Sequence, residues 1–194
     1  MSDTADGKGA CVDYQALPAN YPTHRHSAEF WESLGRAVAT FGFLEEIMGK
    51  AILAYSGRHS LSQEDAEKAL QELLPTLEGA LTDSLGGQIN AYEKAVKENE
   101  KADVEEIRDL LEKLRAASKI RNVICHGSWR PPNDHGQALP FFVNKKKEIF
   151  QDQLDAKYLQ SLQAHTSELA SAVVTSVTSK GWHFPGTNSP GTKI

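Results

Sequence analysis

Apolar residues recur every three or four positions after Ser27, which is the spacing of one buried face of an α-helix. Ser27 is a favourable N-cap residue, and the acids Glu29 and Glu32 suit the positive end of a helix. The apolar positions of this face are Trp31, Leu34, Val38, Phe41, Met48, Ile52 and Tyr55. The pattern therefore predicts a long first helix that begins near Ser27.

Glu45 interrupts this face at a position where the pattern would place an apolar residue. A carboxylate that faces the core needs a partner, because an unpaired buried charge is costly. Alternatively, a small rotation of the helix brings Leu44 and Ile47 to the core position. The sequence leaves both interpretations open.

A second helix is predicted after a polar break, and its cap is either Ser62 with Asp65 or Ser60 with Glu64. This helix is expected to run to about Leu85.

Two features interrupt the helical pattern of this region. Pro75 is expected to kink or split the second helix, because proline lacks the backbone N–H that a helix interior needs. Gly86 and Gly87 predict another bend or break, and residues 88–100 then regain a helical pattern.

The clearest helical period of the chain runs from Asp103 to His126. Gly127 follows it, with Pro131 and Pro132 just beyond, and these are ordinary signals for the end of a helix. The residues on or near its apolar face are Val104, Ile107, Leu110, Leu111, Leu114, Ala117, Ser118, Ile120, Arg121 and Cys125.

The period changes after this helix. Residues 138–150 contain two short apolar runs around an Asn-Lys-Lys-Lys turn, which predicts a small β-hairpin. A last helix is predicted from Asp155 to Ser179. The predicted fold class is therefore all-α, a helical bundle of four to five helices with a small β-hairpin inserted before the last helix.

The length of 194 residues favours one domain, which we place at residues 27–180. Residues 1–26 and 181–194 lack periodicity and predict a flexible N-terminal arm and a flexible C-terminal tail. Neither a signal-peptide core nor a membrane-spanning run of apolar residues is recognisable, so we expect a cytoplasmic protein with no membrane contact.

The charge of the chain is unevenly distributed. A net charge of −5 argues against a protein that coats nucleic acid nonspecifically. The segment from Lys113 to Lys147, however, contains eight basic residues and one acid, Asp134. The difference gives this segment a formal charge of +7 and leaves −12 for the rest of the chain. We therefore expect a local anion-binding surface.

The segment RNVICH at residues 121–126 places chemically useful side chains at the end of the clearest helix. Asn122 and His126 share a helix face, and the long Arg121 side chain can reach the same anion as His126. Arginine is a forked donor for phosphate, and imidazole transfers protons near neutral pH. The same spacing recurs at Arg130 and His135, but two intervening prolines exclude a helix there.

This segment, in an all-helical chain, resembles the R-N-x3-H form of the R-x4-6-H motif of the HEPN superfamily (higher eukaryote and prokaryote nucleotide-binding domains). The resemblance implies a helical bundle, often homodimeric, in which the motifs of two subunits face one cleft. It implies either a metal-independent endoribonuclease of a toxin-antitoxin, antiphage or RNA-processing system, or a noncatalytic domain that binds RNA, a nucleotide or a protein partner.

The same resemblance implies roles for individual residues. Arg121 would hold the scissile phosphate, His126 would act as general acid and base during attack by the ribose 2′-hydroxyl, and Asn122 would orient the site. Independently of the resemblance, Glu45 is a candidate for orienting Arg121, because two charged side chains that lie in the core need each other. In the alternative interpretation all these roles are structural. Arg121 only pairs with a buried acid such as Glu45, Asn122 and His126 only fasten the loop to the helix end, and the motif organises a noncatalytic dimer or partner groove. A third interpretation is an antitoxin-like or immunity subunit that depends on a separately encoded protein.

The residues around the motif have both functional and structural interpretations. Trp129 can stack on a base or plug the end of the core, and the plug is the favoured interpretation. Cys125 occupies an apolar helical position and is not expected to act as a nucleophile. The predicted contacts to RNA phosphates are Lys119, Arg130, Lys145, Lys146 and Lys147. For the three consecutive lysines, the alternative is a solvated hairpin tip.

No metal site or cofactor is expected. Cys11 and Cys125 are too few for a disulfide framework and have no metal-ligand spacing between them. The remaining histidines considered as ligands show no recognised spacing either, and they are His24, His26, His59 and His135.

Overall fold

A computed structural model describes residues 11–58, 61–73 and 84–187, which form a helical bundle with a small antiparallel hairpin before the last helix. The fold class predicted from the sequence is confirmed. The α-helices are α1 (Ala28–Leu53), α2 (Gln63–Leu73), α3 (Ser84–Glu98), α4 (Arg108–His126) and α5 (Ala156–Thr178). The strands are β1 (Ser128–Trp129) and β2 (Pro140–Phe141), and 3-10 turns cover Tyr14–Ala16 and Val104–Ile107.

Helix α1 lies at the centre of the bundle, where it packs most extensively against α5 and also contacts α2, α3 and α4. It begins where the sequence predicts, because the Ser27 hydroxyl accepts a hydrogen bond of 3.1 Å from the backbone N–H of Phe30. The largest fully buried side chains include Phe41, Leu44, Met48, Tyr92, Leu114, Leu159 and Val173. The core therefore lies between α1 and the inner faces of α3, α4 and α5.

The inner face of α1 is rotated relative to the pattern predicted around Glu45. Leu44 and Ile47 are buried, as the rotation hypothesis predicts, and Glu45 lies at the edge of the core. The same rotation leaves Val38 37% exposed, so its assignment to the buried face was wrong.

The region between α1 and α4 differs from its prediction at the two glycines. Gly86 and Gly87 lie in the first turn of α3 and do not mark a break, and Leu85 belongs to this helix rather than to the second one. Leu85 and Ile89 are fully buried, and packing of such a face outweighs the low helix propensity of glycine. Pro75 and its predicted kink lie outside the described residues.

The start of α2 contains one of the two predicted caps. The Ser62 hydroxyl accepts a hydrogen bond of 3.1 Å from the Asp65 backbone N–H and donates one of 2.7 Å to its carboxylate. Ser62 with Asp65 is therefore confirmed as a cap, whereas Ser60 lies outside the described residues. The predicted helix over 103–126 begins as the 3-10 turn Val104–Ile107 and continues as α4.

Residues 128–154 form a ribbon that contains the predicted hairpin. Bridges at Ala138–Leu154 and Val143–Ile149 share one antiparallel register, so the segment 138–143 runs beside 149–154. On its other side this segment pairs with β1, where Ser128 lies opposite Phe141 and Trp129 opposite Pro140. The structure thus adds the short strand β1, which directly follows α4 and was not predicted from the sequence.

The described parts of both terminal segments, residues 11–26 and 181–187, contact the bundle. The Trp31 indole N–H donates a hydrogen bond of 2.9 Å to the Thr23 carbonyl, and Phe184 is buried in the core. Residues 1–10 and 188–194 lie outside the described residues, and the flexibility expected of the two ends stays a prediction. None of the helices in the described ranges has the length and apolar content needed to cross a membrane.

Candidate functional site

The predicted partnership between Glu45 and Arg121 is present as an ion pair between α1 and α4. The Arg121 Nη2 atom lies 3.0 Å from the Glu45 Oε1 atom, and the two side chains are 17% and 21% exposed. Because little solvent surrounds the pair, water screens the attraction between the two charges only weakly. This attraction holds the two side chains together. The structure therefore assigns Arg121 at least a defined position beside the core.

Asn122 belongs to the same cluster. Its Oδ1 atom accepts a hydrogen bond of 3.3 Å from Nη1 of Arg121, and the Asn122 side chain is half-buried. The guanidinium is thus held by a carboxylate on one side and an amide oxygen on the other. Arg121, Asn122 and Glu45 are brought together as the sequence predicts.

His126 is the last residue of α4, and its side chain is exposed. The helix ends because the Gly127 backbone is extended, with its N–H donating to the Val123 carbonyl at 2.8 Å. A Cβ atom at position 127 would lie 2.6 Å from that carbonyl oxygen and 3.0 Å from Pro140, so close approach explains the glycine. The imidazole therefore lies at the junction between the bundle and the ribbon, where solvent can reach it.

Trp129 is half-buried, and its ring meets the Phe30 ring edge-on with centroids 5.1 Å apart. This contact supports the interpretation of Trp129 as a plug over the end of the core. His26 stacks on the same Phe30 ring at 4.6 Å, so the N-terminal arm and the ribbon meet at one aromatic cluster.

Cys125 is half-buried beside the ion pair. Burial raises the pKa of its thiol, an effect that the nearby Arg121 charge opposes and the Glu45 charge reinforces. A thiol with a raised pKa is a poor nucleophile at neutral pH, because the thiolate is the reactive form. The expectation that Cys125 plays no catalytic part agrees with this environment.

The predicted phosphate-binding cations are all exposed, and they lie in two places. Lys119 is on α4, whereas Arg130 and the lysine run belong to the ribbon. None of these five side chains forms an ion pair with a carboxylate of the described residues. The cations in question are Lys119, Arg130, Lys145, Lys146 and Lys147.

The sequence prediction missed three apolar residues on the outer face of the ribbon, Phe141, Val143 and Ile149. They are 47%, 43% and 56% exposed, and the bridge between Val143 and Ile149 places those two on the same face. The signal that could have found them is the two-residue period of a strand, which puts Phe141 and Val143 together and Phe142 on the opposite face.

A groove of about 770 Å³ lies elsewhere, beyond the C-terminal end of α1. Tyr55, Asn99, Lys101 and Trp182 are among its lining residues, and none of the predicted site residues lines it. Within the described residues no group of three or more histidine, cysteine, aspartate and glutamate side chains is arranged to hold a metal ion, and His59 lies outside them.

Comparison of the chain with protein-family models finds no match. Comparisons with curated proteins and with solved structures likewise find no similar protein. The HEPN resemblance therefore depends on the RNVICH segment and its helical setting, and membership of that superfamily stays a prediction.

Proposed function

We propose that this protein binds RNA at the junction between α4 and the ribbon and cuts it without a metal ion. One observation carries the proposal: an exposed His126 follows, five residues along α4, an Arg121 that Glu45 holds in place, at the base of a ribbon whose cations have no described carboxylate partner. Exposed imidazole and unpaired positive charge together suit the transfer of protons beside a phosphodiester.

The proposed step is an internal transesterification. The ribose 2′-oxygen forms a bond to the adjacent phosphorus while the bond from phosphorus to the 5′-oxygen of the next nucleotide breaks. One proton leaves the 2′-hydroxyl for a base, and one proton reaches the departing 5′-oxygen. The products are a 2′,3′-cyclic phosphate and a 5′-hydroxyl, and no oxidant or metal is needed.

His126 is the group to which we assign proton transfer, and Arg121 is the group to which we assign the phosphate. The Glu45 carboxylate restricts the guanidinium to one orientation, and Asn122 supports it through its amide oxygen. Preorganised donors stabilise developing charge better than mobile ones, because they need no rearrangement during the reaction.

The resemblance extends this proposal to the assembly. It favours a homodimer in which a second chain brings a second His126 to the same RNA, so that one imidazole accepts a proton and the other donates one. It also favours a toxin-antitoxin or antiphage setting with a separately encoded protein partner.

Incubation of the purified full chain with mixed-sequence RNA in EDTA tests the proposal. Wild-type protein should release fragments that end in 2′,3′-cyclic phosphate, and His126→Ala should lower the rate by about 100-fold or more. His135→Ala is the matched control, since His135 is also exposed and also follows an arginine by five residues. No cleavage, or equal cleavage by all three proteins, would contradict the enzyme proposal.

The second candidate function is a noncatalytic interaction module, and the same ion pair favours it. In this alternative the Arg121 side chain, which is 17% exposed and bound to Glu45, joins α1 to α4 and binds no phosphate. Under this alternative His126→Ala changes the melting temperature or the sedimentation coefficient, and no RNA fragments form with any variant.

A further inference from the structure

The outer face of the ribbon is apolar and uncovered. Phe141, Val143 and Ile149 are about half exposed, whereas Ala138, Pro140 and Leu154 on the inner face are buried against the bundle. The inner face already packs the ribbon against the core, so the exposed apolar side chains of the outer face contribute little to the free energy of folding. Their exposure calls for a different explanation.

Positive charge lies at both ends of this face. The Arg130 guanidinium lies over the Phe141 ring, 5.4 Å from its centroid. At the far end the ribbon turns through Lys145, Lys146 and Lys147, all of them exposed. The face therefore combines one accessible aromatic ring with a cation at each end.

Asn144 fixes the shape of the lysine turn. Its Oδ1 atom accepts hydrogen bonds from the backbone N–H groups of Lys146 at 2.9 Å and Glu148 at 3.0 Å. Its amide nitrogen donates to the Glu148 carboxylate at 2.7 Å, so this acid is bound by an amide and not by a neighbouring lysine. The other acids of the ribbon, Asp134 and Asp152, form no ion pair with any described lysine or arginine.

We infer that the outer face of the ribbon is a platform for single-stranded RNA, with a base stacked on Phe141 and Arg130 and the phosphates that follow it bound by the lysine turn. This inference rests on the proposed function and names its substrate class. Bases of a single strand are free to stack on aromatic rings and arginine planes, while those of a duplex are covered by one another. Ser128 lies opposite Phe141 and follows His126 by two residues. An RNA strand bound on this platform therefore passes close to the candidate site.

The charge pattern identifies the occupant as a polyanion with stackable groups. A hydrophobic protein partner needs the apolar side chains but gains nothing from four exposed cations around them. A single-stranded RNA uses both, because its bases stack and its phosphates pair with lysine and arginine.

The test measures fluorescence anisotropy of a fluorescein-labelled 2′-O-methyl RNA of 12 mixed nucleotides, which the proposed reaction cannot cut. Phe141→Ala should raise the Kd of the full chain about tenfold or more, and Phe141→Trp should restore binding to within about threefold of wild type. Phe43→Ala is the matched control, because Phe43 is 51% exposed but lies on α1, and it should bind as wild type does.

Each other result overturns the inference in a recognisable way. If wild-type protein binds the RNA and Phe141→Ala binds equally well, the platform is wrong while RNA binding stands. If wild-type protein binds no RNA, the proposed function fails with it. If a duplex of the same sequence binds equally and loses equal affinity in Phe141→Ala, single-strand recognition is wrong. If Phe141→Ala instead shifts the sedimentation coefficient, the face joins two copies of the chain.

Discussion

The helices α1 to α4 and the ribbon treat their positive charges differently. Every lysine and arginine of these four helices except Lys119 forms an ion pair with a carboxylate, whereas Arg130 and the three ribbon lysines form none with the described residues. The paired cations are Arg36, Lys50, Lys68, Lys94, Lys97, Arg108, Lys113, Arg115 and Arg121.

This difference matters more for recognition than for stability. Exposed ion pairs contribute little free energy of unfolding, with typical values of about 0 to 1 kcal/mol. They do cancel the field that an anion would otherwise meet, so the paired cations of α1 to α3 offer a polyanion little attraction. The net charge of −5 describes the whole chain and conceals the ribbon, where positive charge remains available.

The two regions also differ in how they use apolar side chains, and the largest predicted effect tests that difference. Ile89 of α3 is 1% exposed, and Ile149 of the ribbon is 56% exposed. Ile89→Ala should lower the free energy of unfolding by about 2 to 5 kcal/mol, and Ile149→Ala by about 0.5 kcal/mol or less. Urea unfolding followed by circular dichroism measures both. A comparable loss in Ile149→Ala would mean that the outer face is buried in solution, as in an assembly.

Salt dependence tests whether the unpaired lysines attract RNA. Each lysine contact to a phosphate of a single strand steepens the slope of log K against log salt concentration by about 0.7. Joint replacement of Lys145, Lys146 and Lys147 by alanine should therefore flatten the slope by about 2. Joint replacement of the paired residues Lys68, Lys94 and Lys97 should leave it unchanged. Equal slopes for the two triple variants would remove the distinction between the regions.

The ion pair between Glu45 and Arg121 should couple more strongly than an exposed pair of the same kind. A double-mutant cycle with Glu45→Ala and Arg121→Ala should give a coupling energy of about 1 kcal/mol or more. The control is Glu32 with Arg36, a pair at 2.8 Å whose side chains are both 63% exposed, and its coupling should be about 0.5 kcal/mol or less. Equal couplings would mean that solvent screens both pairs alike.

The smallest predicted effect concerns His26, which joins the N-terminal arm to the aromatic cluster beside Trp129. Burial lowers the pKa of His26 below its ordinary value of 6.5, so the unfolded chain binds a proton more readily than the folded one. The contribution of His26 to the free energy of unfolding is therefore fully present above about pH 6.5, and it is lost as the pH drops toward the lowered pKa. His26→Phe, which keeps a ring on Phe30, should remove this dependence between pH 7.5 and 5.5. The control His135→Phe, at a histidine that is exposed, should leave the dependence unchanged.

The fold was predictable where one signal dominated. Ser27 caps α1, and the periodic stretches that became α4 and α5 needed only the period of a helix. Gly86 and Gly87 misled because glycine propensity is a local property, while the burial of Leu85 and Ile89 that overrides it depends on distant helices.

The candidate site was predictable only in part. The partnership of Glu45 with Arg121 followed from two charged residues on apolar helix faces. The exposure of Phe141 did not follow, because a short apolar run does not reveal which of its two faces meets the core. The pairing of Arg115 with Glu93 also lay beyond the sequence, since it joins two helices that pack only in the folded chain.

Photocrosslinking with a 4-thiouridine-substituted single-stranded RNA, followed by mass spectrometry of the peptides, tests directly whether RNA lies on the ribbon and the adjoining end of α4 and not on α1 to α3. We expect crosslinks concentrated between His126 and Ile149, with Phe141 among the modified residues. Crosslinks concentrated in α1 to α3, or spread evenly over the chain, would contradict it.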